Sequence, residues 1–294
     1  MLSETQGDLY FERMASSLGD KIKMVPFIKP GQVLDVGAGG GEFAEQIRLL
    51  GNDVSGLDGS PEAVHWMSAH YPDLNAVAGM VADVNTLFAP SSLDTITCSA
   101  ILHEVFSYGS GDHFPYDLDS IREALALFAD LLTTGGRLII RDGVMPDAAD
   151  RPVVIRFTGD DGADFVSAYA AASPRWGGDA VTGRSLADQR RVSLVKTGER
   201  DFIGTLDSAM EVAYTYTWGL DALPRESQEI YGVFTESDYV AQVEATGLSI
   251  VHREQYVQPG YVEHLSPLMS IVDAITGDPL PFPSTNMLLV AEKQ

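Results

Sequence analysis

Short apolar runs alternate with amphipathic segments along much of the chain from Val33 onward. Residues 33–36 form such a run, and the segment that starts at Glu42 carries apolar residues at helical spacing, namely Phe43, Ile47 and Leu50. A second apolar run at 54–57 ends at Asp58. Ser60 and Pro61 follow and predict a helix start, because serine favours the N-cap and proline the first helical position. This alternation is typical of βαβ units and a mostly parallel sheet.

The alternation continues to about residue 145, is interrupted, and then resumes. Residues 95–102 predict a buried strand. The next helix is predicted to end at Gly135-Gly136, and its apolar face consists of Leu118, Ile121, Leu125, Phe128 and Leu132. Residues 137–140 predict another strand, whereas the pattern between residues 146 and 234 is mixed. After that segment the chain again predicts a helix from Thr235 and strands at 248–251 and 287–290.

These patterns predict an α/β fold: a doubly wound, mostly parallel sheet flanked by helices, with an α+β cap inserted into it. The predicted division has four parts: an N-terminal helical cap segment (1–30), a cofactor-binding core (31–145), an inserted cap that recognises the substrate (146–234) and a C-terminal helix and strands that complete the core sheet (235–294).

Cysteine content and hydropathy narrow the class of protein. Apolar residues make up 45% of the 294 residues, which is enough for a packed core. Cys98 is the single cysteine, so neither an internal disulfide nor a multi-cysteine zinc site can form, and no metal is predicted. The first residues do not resemble a signal peptide, and no window is apolar enough for a membrane helix. We therefore expect a cytoplasmic protein with no membrane partner.

The net charge of −23, from 42 acidic and 19 basic residues, bears on the choice of partner. Affinity for nucleic acids comes largely from lysine and arginine side chains that neutralise phosphates. The charge therefore argues against DNA or RNA and favours a small-molecule substrate.

Glycines cluster between the first predicted strand and its helix, in the sequence DVGAGGG at residues 35–41. Glycine allows a sharp turn and brings backbone N–H groups and a helix N-terminus close to a ligand. Asp58 ends the second strand, where a carboxylate can accept hydrogen bonds from ribose hydroxyls. The segment also satisfies the dinucleotide pattern GxGxxA. Two features oppose that alternative: Asp35 would repel a pyrophosphate but suits an ammonium group, and the chain has no Tyr-x-x-x-Lys pair.

Taken together, these motifs resemble those of class I S-adenosylmethionine-dependent methyltransferases. Residues 35–41 are similar to their first motif, Asp58 to the acidic residue after the second strand, Asp83 to the acidic residue near the adenine, and residues 135–140 to the glycine turn before the fifth strand. The resemblance implies S-adenosylmethionine as the cofactor. The predicted binding residues are Asp35, Gly37, Gly39, Gly41, Asp58, Asp83 and Ser99. For Asp83, a turn or helix cap is a competing interpretation.

Candidate catalytic groups follow the strands that end beside the cofactor. His103 and Glu104 come just after the 95–102 strand, and Asp142 follows the 137–140 strand. An imidazole is a suitable general base near neutral pH, and Glu104 could orient it. Asp142 is the second-choice base. A structural role for His103, in packing or capping, is an equally weighted alternative.

The sequence therefore predicts a methyltransferase that acts on a small molecule, with oxygen preferred over nitrogen or carbon as the acceptor atom. A nicotinamide-dependent oxidoreductase and a non-catalytic relative that only binds the cofactor are the alternatives. We also include a homodimer among the expected partners, because the cap could pair with its copy.

Overall fold

The computed structural model describes residues 18–113, 115–172, 192 and 194–294. The first seventeen residues of the predicted N-terminal segment lie outside this range. The described chain divides into two compact units. Unit 1 comprises the chain up to Asp142 together with Asp238–Glu254 and Met287–Gln294, and unit 2 comprises Gly143–Ser237 and Gln255–Asn286.

Unit 1 is built on a seven-stranded sheet with the strand order β3-β2-β1-β4-β5-β12-β9. The pairs β1/β2, β2/β3, β1/β4 and β4/β5 are parallel. The strands are β1 (Gln32–Val36), β2 (Asp53–Asp58), β3 (Asn75–Ala78), β4 (Leu93–Ser99), β5 (Leu132–Gly143), β9 (Leu248–Tyr256) and β12 (Asn286–Lys293). This sheet confirms the predicted α/β fold class.

The helices of unit 1 follow the strands as the hydrophobic pattern indicates. They are α1 (Leu18–Lys21), α2 (Glu42–Leu49), α3 (Pro61–His70), α4 (Val84–Leu87), α5 (Leu102–Tyr108), α6 (Leu118–Leu131) and α10 (Glu236–Glu244), with short 3-10 segments at Ile22–Phe27 and Val81–Asp83. The Ser60 hydroxyl accepts the Ala63 N–H at 3.2 Å, so the predicted N-cap is present. Ile121, Leu125 and Phe128 of α6 are fully buried.

Unit 2 contains an antiparallel sheet with the strand order β11-β10-β6-β8-β7. Its strands are β6 (Pro152–Phe157), β7 (Leu194–Lys196), β8 (Asp201–Thr205), β10 (Met269–Asp273) and β11 (Pro279–Leu280), and its helices are α7 (Asp160–Ala172), α8 (Leu206–Tyr216), α9 (Leu223–Glu226) and α11 (Tyr261–Leu265). Apolar side chains of this sheet and of α7 and α8 form one buried cluster. The unit is thus an α+β structure, while its predicted role as a cap stays a prediction.

Two predicted boundaries differ from the structure. The helix α6 ends at Leu131, not at Gly135, and β5 already begins at Leu132. Gly135 has a φ of +78°, and the pairing of β4 with β5 shifts register between Leu93 and Thr95, so the glycines belong to an irregular strand start. The C-terminal part does not complete the core sheet throughout, because residues 255–286 belong to unit 2 and supply β10 and β11.

The strand predicted at 95–102 also ends early, at Ser99. Ala100 has a φ of +57°, a left-handed conformation that interrupts an extended strand, and α5 starts at Leu102. His103 and Glu104 therefore lie in the first turn of a helix. Across the described ranges, no helix has both the length and the apolar character needed to cross a membrane.

Candidate active site

The loop between β1 and α2 holds three predicted glycines in left-handed backbone conformations. The φ angle is +68° at Gly37, +57° at Gly39 and +88° at Gly41. A Cβ on Gly37 would lie 2.6 Å from Cδ1 of Ile101, and a Cβ on Gly41 would lie 2.5 Å from Cγ of Met67. Any larger residue at these positions would therefore be both strained and crowded. This geometry fits a loop whose backbone approaches a ligand closely.

Asp58 is half-buried at the end of β2 and is fixed against the glycine loop. One carboxylate oxygen, Oδ2, accepts the Gly39 N–H at 2.8 Å, and the other, Oδ1, accepts the Ser60 N–H at 2.8 Å. A carboxylate has about four acceptor sites, so both oxygens can accept further hydrogen bonds. The predicted ribose-binding role is compatible with these contacts.

Asp35 is buried within β1, with only 3% of its surface exposed. The Thr97 hydroxyl donates a hydrogen bond to its Oδ1 at 2.7 Å. Burial raises the pKa of Asp35 to about 6, although Lys21 and the Thr97 hydrogen bond act in the opposite direction. A buried carboxylate with this pKa gains from a cationic ligand such as an ammonium group.

Ser99 ends β4, the strand that pairs with β1. Its Oγ is buried and has no hydrogen-bond partner among the described residues. Two residues later, the side chain of Ile101 lies against Gly37. Because buried hydroxyls are normally satisfied, this orphaned hydroxyl beside the glycine loop is consistent with a ligand at that place.

Asp83, predicted to lie near the adenine, is exposed in the structure. Its Oδ2 accepts the Met80 N–H at 3.1 Å at the start of the Val81–Asp83 turn. This is the contact that the competing cap interpretation describes. A role toward adenine stays a prediction.

The predicted catalytic residues His103 and Asp142 are in direct contact, and both are buried. Nδ1 of His103 lies 2.6 Å from Oδ1 of Asp142. Oδ2 of the same carboxylate accepts the Leu102 N–H at 2.8 Å. Asp142, at the end of β5, thus fixes both the imidazole and the N-terminus of α5, where a negative charge is favourable.

The role of Glu104 in orienting His103 stays a prediction, and a second carboxylate, that of Asp142, contacts the same imidazole. Glu104 is half-buried, and one of its carboxylate oxygens lies within 4.8 Å of a ring nitrogen of His103. Asp142 contacts the ring directly, at 2.6 Å. The reason is topological: β4 and β5 are parallel neighbours, so the end of β5 meets the start of the helix that follows β4.

Two charged residues that the sequence did not single out also lie here. Asp20 of α1 forms a buried ion pair with Arg141 of β5, with 2.6 Å between Oδ2 and Nε. The next residue, Lys21, is 9% exposed, and burial lowers its pKa. Asp35, Glu42 and Asp58 are the acidic groups that attract its charge. A short helix without a motif gives no sequence signal for either residue.

The residues present fit S-adenosylmethionine, whose parts include an ammonium group, a carboxylate and a ribose. Asp35 supplies a buried carboxylate for a cation, and Asp58 supplies acceptors beside the glycine loop. The glycine loop leaves no space for a Cβ at Gly37 or Gly41, so its backbone can lie close to a ligand. The buried Ser99 hydroxyl has no hydrogen-bond partner among the described residues and could bind a ligand atom.

Comparison with known proteins matches residues 34–140 to the family model of a methyltransferase domain. A ubiquinone biosynthesis O-methyltransferase from Xanthomonas euvesicatoria is 35% identical over 112 residues, which cover 37% of this chain and 41% of that protein. The chain therefore spans less than half the length of this relative. An S-adenosylmethionine-dependent methyltransferase from Archaeoglobus fulgidus has a TM-score of 0.51 at 12% identity, over 95% of this chain and 94% of that one. This likeness shows the fold.

The matched region includes the glycine motif, Asp58, Asp83 and the strand before Asp142. The family resemblance and the cofactor class predicted from these motifs are thereby confirmed. Residues 34–140 thus match a methyltransferase domain, and they carry the motifs that resemble those of the class I S-adenosylmethionine-dependent methyltransferases.

Proposed function

We propose that the protein transfers a methyl group from S-adenosylmethionine to a hydroxyl group of a small molecule. The observation that carries the proposal is the buried contact between His103 and Asp142, at the carboxyl ends of neighbouring strands. The relative from Xanthomonas euvesicatoria, named as an O-methyltransferase, also favours oxygen as the acceptor atom.

The contact with Asp142 selects the role of each nitrogen in His103. A carboxylate only accepts hydrogen bonds, so Nδ1 carries the proton that lies between the two groups. In the neutral ring, Nε2 then holds the lone pair and can take the proton of an acceptor hydroxyl. Asp142 would stabilise the imidazolium that results.

The bound cofactor would supply the electrophilic methyl group and the leaving thioether. Asp35, Asp58 and the glycine loop would hold it, and Ser99 offers a hydroxyl at the same strand ends. His103 is 4% exposed, so bulk water does not compete freely for the proton.

The test is an acceptor screen that follows the formation of S-adenosylhomocysteine with phenols, primary amines and carbon acids. With the acceptor found, His103→Asn should lower kcat by about 100- to 10,000-fold, the usual contribution of a general base. Affinity for S-adenosylhomocysteine should stay unchanged, because the base does not hold the cofactor. Asp142→Asn should also lower kcat, since an amide no longer secures the tautomer.

His113→Asn is the matched control, since this histidine contacts Asp117 and Glu123 near α6. The control should keep the full kcat. Turnover restricted to amines would contradict the proposed acceptor, and a full kcat for His103→Asn would contradict the role of the base.

A further inference from the structure

Lys21 is a buried cation at the end of the short helix α1. The ion pair between Asp20 and Arg141 ties this helix to the end of β5, and α1 also contacts α2, which follows the glycine loop. The side chain of Lys21 is thereby enclosed, and the residue is 9% exposed.

The charges around Lys21 are those of the cofactor site. Asp35, Glu42 and Asp58 attract its ammonium group, whereas Arg141 repels it. With the described residues, its Nζ forms neither a hydrogen bond nor an ion pair within 4.0 Å. A buried charge without a close partner is costly, and an anion bound beside it would remove that cost.

The methionine end of the cofactor carries such an anion. It is zwitterionic, so a site that binds it needs a carboxylate for the α-ammonium and a cation for the α-carboxylate. Asp35 is the buried carboxylate, and Lys21 is the cation that lies near it. From this juxtaposition we infer that Lys21 binds the α-carboxylate of S-adenosylmethionine. The inference rests on the proposed function and adds a residue to its site.

The inference predicts a loss of affinity that depends on which part of the ligand is present. Isothermal titration calorimetry would compare S-adenosylhomocysteine with 5′-methylthioadenosine, which keeps the adenosine and the thioether but lacks the amino-acid end. Lys21→Met should lower the affinity for S-adenosylhomocysteine by about 10- to 100-fold, as expected for the loss of a buried charged contact. Binding of 5′-methylthioadenosine should not change.

Lys23→Met is the control, because Lys23 lies two residues further on and pairs with Glu254 at 3.4 Å. It should bind both ligands as the wild type does, and Lys21→Arg should retain most of the affinity. A ligand-side test needs no variant: the wild type should bind decarboxylated S-adenosylhomocysteine at least tenfold more weakly than S-adenosylhomocysteine.

Three results would overturn the inference: equal losses for both ligands in Lys21→Met, a gain in affinity for S-adenosylhomocysteine, or equal wild-type affinity for the decarboxylated ligand. Equal losses would indicate a structural role, and a gain would indicate that Lys21 occupies the ammonium position. If the wild type does not bind S-adenosylhomocysteine at all, the proposed function fails as well.

Discussion

Asp35 is a residue whose charge should decide cofactor affinity near neutral pH. Burial raises its pKa to about 6, against the opposing effects of Lys21 and Thr97. An α-ammonium group binds the ionised carboxylate in preference to the neutral acid. We therefore expect the affinity for S-adenosylhomocysteine to fall as the pH drops below about 6, approaching about tenfold per pH unit. Calorimetric titrations between about pH 5 and pH 8 would measure this.

The ligand 5′-methylthioadenosine is the control for this titration, because it has no ammonium group and should bind equally across the range. Asp35→Asn should bind S-adenosylhomocysteine weakly at every pH. An affinity of the wild type that stays constant from pH 8 to pH 5 would contradict the role assigned to Asp35.

Single residues were predictable where a local motif marks them. The glycines at 37, 39 and 41 and the acidic Asp58 follow predicted strands, so their placement at the strand ends could be predicted. The contact of His103 with Asp142 could not be predicted, because Asp142 is 39 positions away in sequence and only the pairing of β4 with β5 brings it near. The sequence neighbour Glu104 stays the predicted orienting residue, and the sequence did not predict the additional contact with Asp142.

At the scale of one element, His113 links two carboxylates at the start of α6. Its Nε2 lies 2.8 Å from Glu123 and its Nδ1 lies 3.2 Å from Asp117. Burial lowers the pKa of His113, but the hydrogen bonds with both carboxylates raise it by more than burial lowers it, so the net shift is upward. A raised pKa means that this stabilisation is complete below the ordinary value of 6.5 and is lost as the pH rises through the folded-state pKa.

Thermal unfolding of the wild type and of His113→Asn should therefore differ more at about pH 6 than at about pH 8.5. The difference should reach up to about 3 °C at the lower pH, since partly exposed ion pairs contribute no more than about 1 kcal/mol. His65→Asn, in the exposed part of α3, is the control variant of the same kind. A difference that grows with rising pH would contradict the contacts assigned to His113.

Element types were easier to predict than element ends. The apolar stripe of α6 predicts the helix, but the predicted stop at Gly135 lies beyond its end, because Leu132 already pairs with Leu93. Glycine with positive φ ends helices and also permits irregular strands, so the residue type alone does not choose between them.

At the scale of the whole molecule, the sequence predicted unit 1 far better than unit 2. The βαβ units connect strands over short stretches of chain, and their motifs recur in order. In unit 2, β6 pairs with β10, and Val153 lies opposite Asp273 at a separation of more than 100 residues. Such a pairing leaves no local pattern in the sequence, so the strands β10 and β11 within residues 255–286 were not predicted.

This division into two units predicts which part of the molecule the cofactor should stabilise. The predicted cofactor residues from Asp35 to Ser99 lie in unit 1. S-adenosylhomocysteine at a hundred times its Kd should therefore stabilise the folded state of that unit by about 2.7 kcal/mol and raise its melting temperature. Differential scanning calorimetry would measure the shift. NAD should cause none. Asp58→Ala should abolish the shift, whereas Asp53→Ala, at the exposed start of the same strand, should keep it. A shift with NAD alone would refute S-adenosylmethionine as the cofactor, because the glycine loop would then serve a dinucleotide.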